Sequence, residues 1–224
     1  MVFDSLNKDK QKLITKHLEL VIEANKNTNL TRIETKEESQ LLHIEDSLAG
    51  IDEVNASPDG LYGDLGSGAG FPGVPLAIST GRKTVLIDSR QKKMKIVDNI
   101  IEELGLSQQI STYAGRAELL ARTHAKEYAV LTARALSKLT VLMELASPLL
   151  FKGGRLICYK ANVEGVELEN AMKAQKILGM RFVSKRDFIL GEDINRSIVV
   201  FEKAGEPRIK LPRREGEAQK HPIV

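Results

Sequence analysis

The stretch GDLGSGAGFPGVP, Gly63 to Pro75, places five glycines and two prolines in thirteen residues, in a chain that has 17 and 7 over its whole length. It follows a short apolar segment, Leu61 to Leu65, and leads into a segment with helical character. A glycine-rich turn between a buried strand and a helix is where a doubly wound sheet presents backbone N–H groups to a ligand. The rest of the chain has to supply the remaining strands and helices of such a sheet.

It does so in alternation. Thr84 to Asp88 (TVLID) reads as a short strand, and Gln91 to Leu104 has helical spacing ending before Gly105, a C-cap residue. Ile110 to Ala114 and Tyr128 to Ala133 are further strands, then a helix is predicted from about Leu139 to Leu150 and a strand from Gly153 to Lys160. A charged helix from about Val163 to Leu178 precedes two strands, Phe182 to Leu190 and Ser197 to Lys203, with no helix between them. This order predicts an α/β protein with a mostly parallel, seven-stranded sheet ending in an antiparallel edge hairpin. The first third is different. Leu13, Ile14, His17, Leu18, Val21 and Ile22 form one helical stripe, and Thr35 with Glu38 reads as a capping box for a second helix through His43 to about Ala49. We therefore expect N-terminal helices over residues 1–55, a sheet core over 56–205 and a basic tail over 206–224.

The chain has 224 residues, 42% of them hydrophobic and 28% charged, with a net charge of +3, enough for one full core. One cysteine, Cys158, excludes an internal disulfide and reads as a buried small residue. The opening MVFDSLNKDKQK lacks the apolar stretch of a secretion signal, and no apolar run approaches the roughly 20 residues of a membrane span. A cytoplasmic location is expected, and no metal site.

The glycine spacing narrows the ligand. A dinucleotide fingerprint starting at Gly66 needs glycine at position 71, where the chain has Phe71, and a phosphate loop needs Gly-Lys-Ser/Thr, which is absent. A nicotinamide dehydrogenase is disfavoured on that ground. Asp64 stands two residues before Gly66 and argues against a phosphate in the loop, since like charges would be brought together. Asp88 lies 22 positions after Gly66 (88 − 66), close to the spacing of an acid that binds ribose hydroxyls. An adenosine without a diphosphate fits both acids, and S-adenosylmethionine has that character. The alternative, a bare tight turn with a solvated Asp88, stays open at this point.

Longer motifs carry a resemblance. DLGSGAGFPGVPLAI, LIDSRQKKMKIVDNIIEELGL, GRAE at Gly115 to Glu118 and TARA at Thr132 to Ala135 resemble the RsmG family, also called glucose-inhibited division protein B. NLT at Asn29 to Thr31, H-x-x-D-S at His43 to Ser47 and PRREG at Pro212 to Gly216 extend the resemblance to roughly Asn29 to Pro222. The resemblance implies a Rossmann-like class I methyltransferase that places a methyl group from S-adenosylmethionine on N7 of a guanine in 16S ribosomal RNA. By the same resemblance Gly66 and Phe71 hold the cofactor's methionine and sulfonium end, Ala117 and Glu118 its adenine side, and Arg134 the mouth between cofactor and target; Gly68 and Asp88 are expected at the cofactor from the loop itself. The chain departs from the family at Leu42, where a basic residue is usual, and at Glu215 and Glu217, which dilute the basic tail.

That chemistry suits the residues. Transfer from a sulfonium is an in-line displacement in which alignment dominates, and guanine N7 has a lone pair and no proton, so no general base is obligatory. The Asn/Asp-Pro-Pro-aromatic motif of amine methylation and the Pro-Cys of pyrimidine-carbon methylation are both missing. Arg134, at the end of the fourth strand, is the best catalytic candidate, and Lys160 ends the fifth strand at the same edge. His43, Asp46 and Ser47 share a helical face. The bland reading is a local hydrogen bond; the resemblance makes them a target-side cluster. Arg208, Lys210, Arg213 and Arg214 give the tail four positive charges, with Arg213 and Arg214 expected on RNA phosphates. The expected partner is 16S ribosomal RNA or the small ribosomal subunit, met by a monomer; the rival is a cofactor-binding RNA protein without catalysis.

Overall fold

A computed structural model describes residues 2–31, 36–163 and 165–224. Its seven strands are β1 (Leu61–Leu65), β2 (Thr84–Asp88), β3 (Ile110–Ala114), β4 (Tyr128–Arg134), β5 (Leu150–Lys160), β6 (Met180–Leu190) and β7 (Ile194–Lys203). They form one sheet in the order β3-β2-β1-β4-β5-β7-β6. The five strands β3, β2, β1, β4 and β5 are mutually parallel, and β7 runs antiparallel to both β5 and β6. The predicted hairpin is present, with one refinement. Its second strand lies inside the sheet, because the buried Ser197–Phe201 run belongs between two neighbours, while the charged β6 tolerates an edge.

The helices are α1 (Val2–Ser5), α2 (Lys8–Asn25), α3 (Lys36–Ser39), α4 (Asp46–Leu48), α5 (Ile51–Asn55), α6 (Gly73–Thr80), α7 (Gln91–Glu103), α8 (Ala117–Thr123), α9 (Leu139–Ala146), α10 (Gly165–Leu178) and α11 (Glu217–Lys220), with a π-helical segment at Gln40–Glu45. Helix α2 begins earlier than its apolar stripe because the Asn7 side chain caps it, accepting from Lys10 N at 2.9 Å. The predicted cap at Thr35 lies outside the described residues. The second helix is not uniform: the π-helical turn interrupts it at His43, a distortion that recurs at functional sites. Helix α9 stops at Ala146, short of the predicted Leu150, because Pro148 cannot continue it, and Leu150 already pairs with Tyr128 in the sheet. Helices α8 and α11 are too short to show a period in the sequence.

Apolar layers cover both faces of the sheet. On one, Ile14, Leu18 and Val21 of α2 pack with Val74 and Ala77 of α6 and Met94 and Val97 of α7. On the other, Leu142 and Met143 of α9 pack with Leu131, Cys158 and Phe201, and the tail residues Ile209, Leu211 and Ile223 join that layer. Cys158 is buried as expected, and burial pushes its thiol well up. Among the described residues no helix is long and apolar enough to cross a membrane. Strand order reverses between β1 and β4, so a crevice opens at their C-terminal ends.

Candidate functional site

The glycine loop is bound to the end of β2. Gly66 N and Ser67 N both donate to the Ile87 carbonyl, at 2.8 and 3.1 Å, and Gly68 N donates to Asp88 Oδ2 at 3.1 Å. Asp88 Oδ1 accepts from Arg90 N at 2.8 Å, so two backbone groups orient this carboxylate at the crevice. Gly68 has φ +57, and a Cβ built there would meet nothing closer than 3.9 Å, so its face is open to the cleft. Asp64 corrects the sequence reading. It does not face a ligand: fully buried beneath the loop, it accepts from Gly73 N at 2.9 Å and from the Thr132 hydroxyl at 2.7 Å. Burial pushes its carboxyl up to about 7. The acid braces the turn from below.

One cleft brings together Gly66, Gly68, Asp88, Ala117 and Glu118, five of the predicted cofactor residues. Ile87, Leu136 and Leu145 add apolar wall to it. A cleft with an apolar wall, an oriented carboxylate and an open glycine face fits an adenosine with a cationic tail. Sequence reasoning missed Leu136, although it follows Arg134 at a strand end, where the fold places ligand contacts. Glu118 does more than line the cleft, since its Oε1 accepts from Gly216 N of the tail at 2.7 Å.

Phe71 and Arg134, also predicted at the cofactor, do not line that cleft. The Phe71 ring is stacked on His43 (centroids 4.3 Å apart, planes 10° apart) and tilted against His17 at 4.6 Å. Arg134 donates from Nη1 to the Leu42 carbonyl at 2.7 Å and to Asp46 Oδ2 at 2.8 Å, and from Nη2 to His43 Nδ1 at 3.4 Å. His43 Nε2 therefore carries the proton and donates to Thr31 Oγ1 at 2.9 Å. Burial, the Arg134 guanidinium and His17 together lower His43 to about 3, so its ring is neutral. A second pocket is lined by His43, Asp46, Arg134, Tyr159, Lys160 and Arg196 among others. Arg196 comes from β7 and donates to Asp46 Oδ1 at 3.1 Å. No local signal marks it, because only the insertion of β7 beside β5 brings it near.

The other predicted residues are placed as follows. Ser47 is fully buried, and its hydroxyl donates to the His43 carbonyl, the local bond of the bland reading. Lys160 pairs with Glu167 at 2.7 Å and donates to the Ser137 carbonyl at 3.2 Å. Arg213 is engaged in a bidentate pair with the buried Glu144, at 2.7 and 2.6 Å, and Arg214 is exposed.

A seven-stranded sheet with its last strand antiparallel, a glycine cradle after β1 and an acid closing β2 define a class I S-adenosylmethionine-dependent methyltransferase. A geranyl diphosphate C-methyltransferase from Streptomyces coelicolor A3(2), solved with S-adenosyl-L-homocysteine, shares the fold at TM-score 0.56 and 12% identity, over 71% of this chain and 78% of its own. The chain belongs to the rRNA small subunit methyltransferase G family, whose model matches residues 10–193. Proteins named ribosomal RNA small subunit methyltransferase G from Alkaliphilus metalliredigens and Listeria monocytogenes are each 35% identical to it. The first match covers 95% of this chain and 90% of the relative, the second 97% and 93%.

Proposed function

We propose that this protein transfers the methyl group of S-adenosylmethionine to N7 of a guanine in 16S ribosomal RNA. The family and the names of its members support a methyltransferase of small-subunit ribosomal RNA. The observation that carries the finer reading is that two clefts meet at the end of β4. Ala135 lines both the glycine-loop cleft and the pocket of Arg134, His43 and Asp46, so a methyl donor in one faces a nucleophile in the other. S-adenosylmethionine, when bound, supplies an electrophilic methyl. The chain's contribution is alignment: Gly66, Gly68 and Asp88 orient the donor, while Arg134, with Phe71 and His43 behind it, shapes the target mouth. The described side chains at that mouth also suit a nucleophile without a proton. Asp46 is paired with two arginines and His43 accepts from Arg134, so neither is placed as a free base.

In this reading residues 1–55 shape the target side, 56–205 hold the cofactor, and the exposed tail residues Arg208, Lys210 and Arg214 meet RNA phosphates. The enzyme works in the cytoplasm as a monomer. The test is methyl transfer to 16S RNA, both naked and in small subunits, purified from cells lacking this chain, followed by mass mapping. Appearance of one 7-methylguanosine is expected. Cofactor binding with no transfer to either substrate favours the non-catalytic rival.

A further inference from the structure

The C-terminal segment is held against the cofactor cleft. Gly216 N is tied to Glu118, Arg213 is clamped on Glu144, and Ala218 is 1% exposed within the main core. Gly216, at φ +72, turns the chain into α11, so the residue after Ala218 is set at the cleft: Gln219 lines it beside Ala117 and Glu118. Gln219 is exposed, and its side-chain amide forms no hydrogen bond with the other described residues, while Ala218 before it is buried and the Lys220 backbone N–H after it donates to the Gly216 carbonyl.

Strand order says which end of a bound adenosine lies there. Along the crevice the sheet runs β4, β1, β2, β3. The methyl must emerge at β4, where Ala135 joins the two clefts, and the ribose belongs at Asp88, which ends β2. The loop after β3, with Ala117 and Glu118, is left for the purine. A glutamine amide has both a donor and an acceptor and matches the edge of adenine, whose amino group donates and whose adjacent ring nitrogen accepts.

Resting on the function proposed above, we infer that Gln219 is a cofactor-specificity residue that reads the adenine edge, and that the tail segment 213–219 is a wall of the cofactor site. The experiment is calorimetric titration of wild type and Gln219→Ala with S-adenosylhomocysteine and with its 6-deamino analogue, in which a hydrogen replaces the adenine amino group and one hydrogen bond is lost whichever way the glutamine amide turns. Wild type should prefer the adenosyl compound by about tenfold or more, and Gln219→Ala should lose most of that preference while melting at the wild-type temperature without ligand. If Gln219→Ala keeps the wild-type affinity and preference, the inference is overturned while the function stands. A wild type that binds neither compound overturns the function and this inference with it.

Discussion

Arg134 and Asp46 lie 88 residues apart in the chain and meet at 2.8 Å, with side chains 15% and 6% exposed. The same carboxylate takes Arg196 on its other oxygen at 3.1 Å. One acid therefore fastens the N-terminal helices to β4 and to β7, and this joint forms part of the wall of the pocket lined by His43, Asp46 and Arg134. Replacing Arg134 by alanine should lower the methylation rate by about 100-fold, the effect of misplacing reacting groups. Stability should fall by only about 1–3 kcal/mol, because Arg196 still pairs with Asp46. Single-turnover methylation and urea unfolding measure the two effects. An unchanged rate removes Arg134 from the site.

Gly68 and Gly73 separate binding from folding. Gly68→Ala points a methyl group into the open cleft and should weaken S-adenosylhomocysteine binding, with about 1 kcal/mol lost to its left-handed φ of +57. At Gly73 a Cβ would lie 2.3 Å from Leu86 Cδ2 and 2.8 Å from Asp64 Oδ2, so Gly73→Ala should destabilise by about 1–3 kcal/mol or more as the loop is forced off its brace. Calorimetry and thermal melts on both variants check the contrast.

The stack around Phe71 should make stability depend on pH. Burial holds His17 near 4 and His43 near 3, against 6.5 in the unfolded chain, so below about 6.5 unfolding takes up protons at both. Asp64 opposes them: raised to about 7, it favours the folded chain fully below its unfolded value of 3.8, and that contribution is lost as the pH rises through 7. Two histidines outweigh one carboxyl between about pH 6 and 4.5, and stability should fall as the pH drops through that window. His17→Gln, which keeps a donor for the Ala69 carbonyl, should flatten the slope in urea titrations.

The two tail arginines should behave differently. Arg213→Ala leaves Glu144, 4% exposed, without its cation and should cost about 3 kcal/mol, with faster proteolysis of the tail. Arg214→Ala should change stability by less than about 0.5 kcal/mol, yet weaken RNA binding and lower its salt dependence by roughly one phosphate contact. Equal loss of stability in both contradicts the clamp.

The sheet was legible because its strands are short extended runs separated by turn residues: Leu61–Leu65, Thr84–Asp88 and Ile110–Ala114 have the predicted ends. The glycine loop was legible for a related reason, since glycine favours such a left-handed turn, and Asp88 follows at a fixed chain distance. Asp64 shows the limit of spacing: the sequence places it beside the loop, and only packing shows that it lies beneath, facing Gly73 and Thr132. What the sequence determined by itself was thus the alternation of elements and the glycine turn with Asp88 at the sheet's C-terminal edge, both products of local backbone geometry and short-range periodicity. The tertiary structure alone decided which long-range partners complete the site. Arg134 and Arg196 on Asp46, and Gly216 on Glu118, are charge and hydrogen-bond pairs between segments about 90 to 150 residues apart, whose meeting depends on how the sheet is ordered and leaves no periodic trace in the chain.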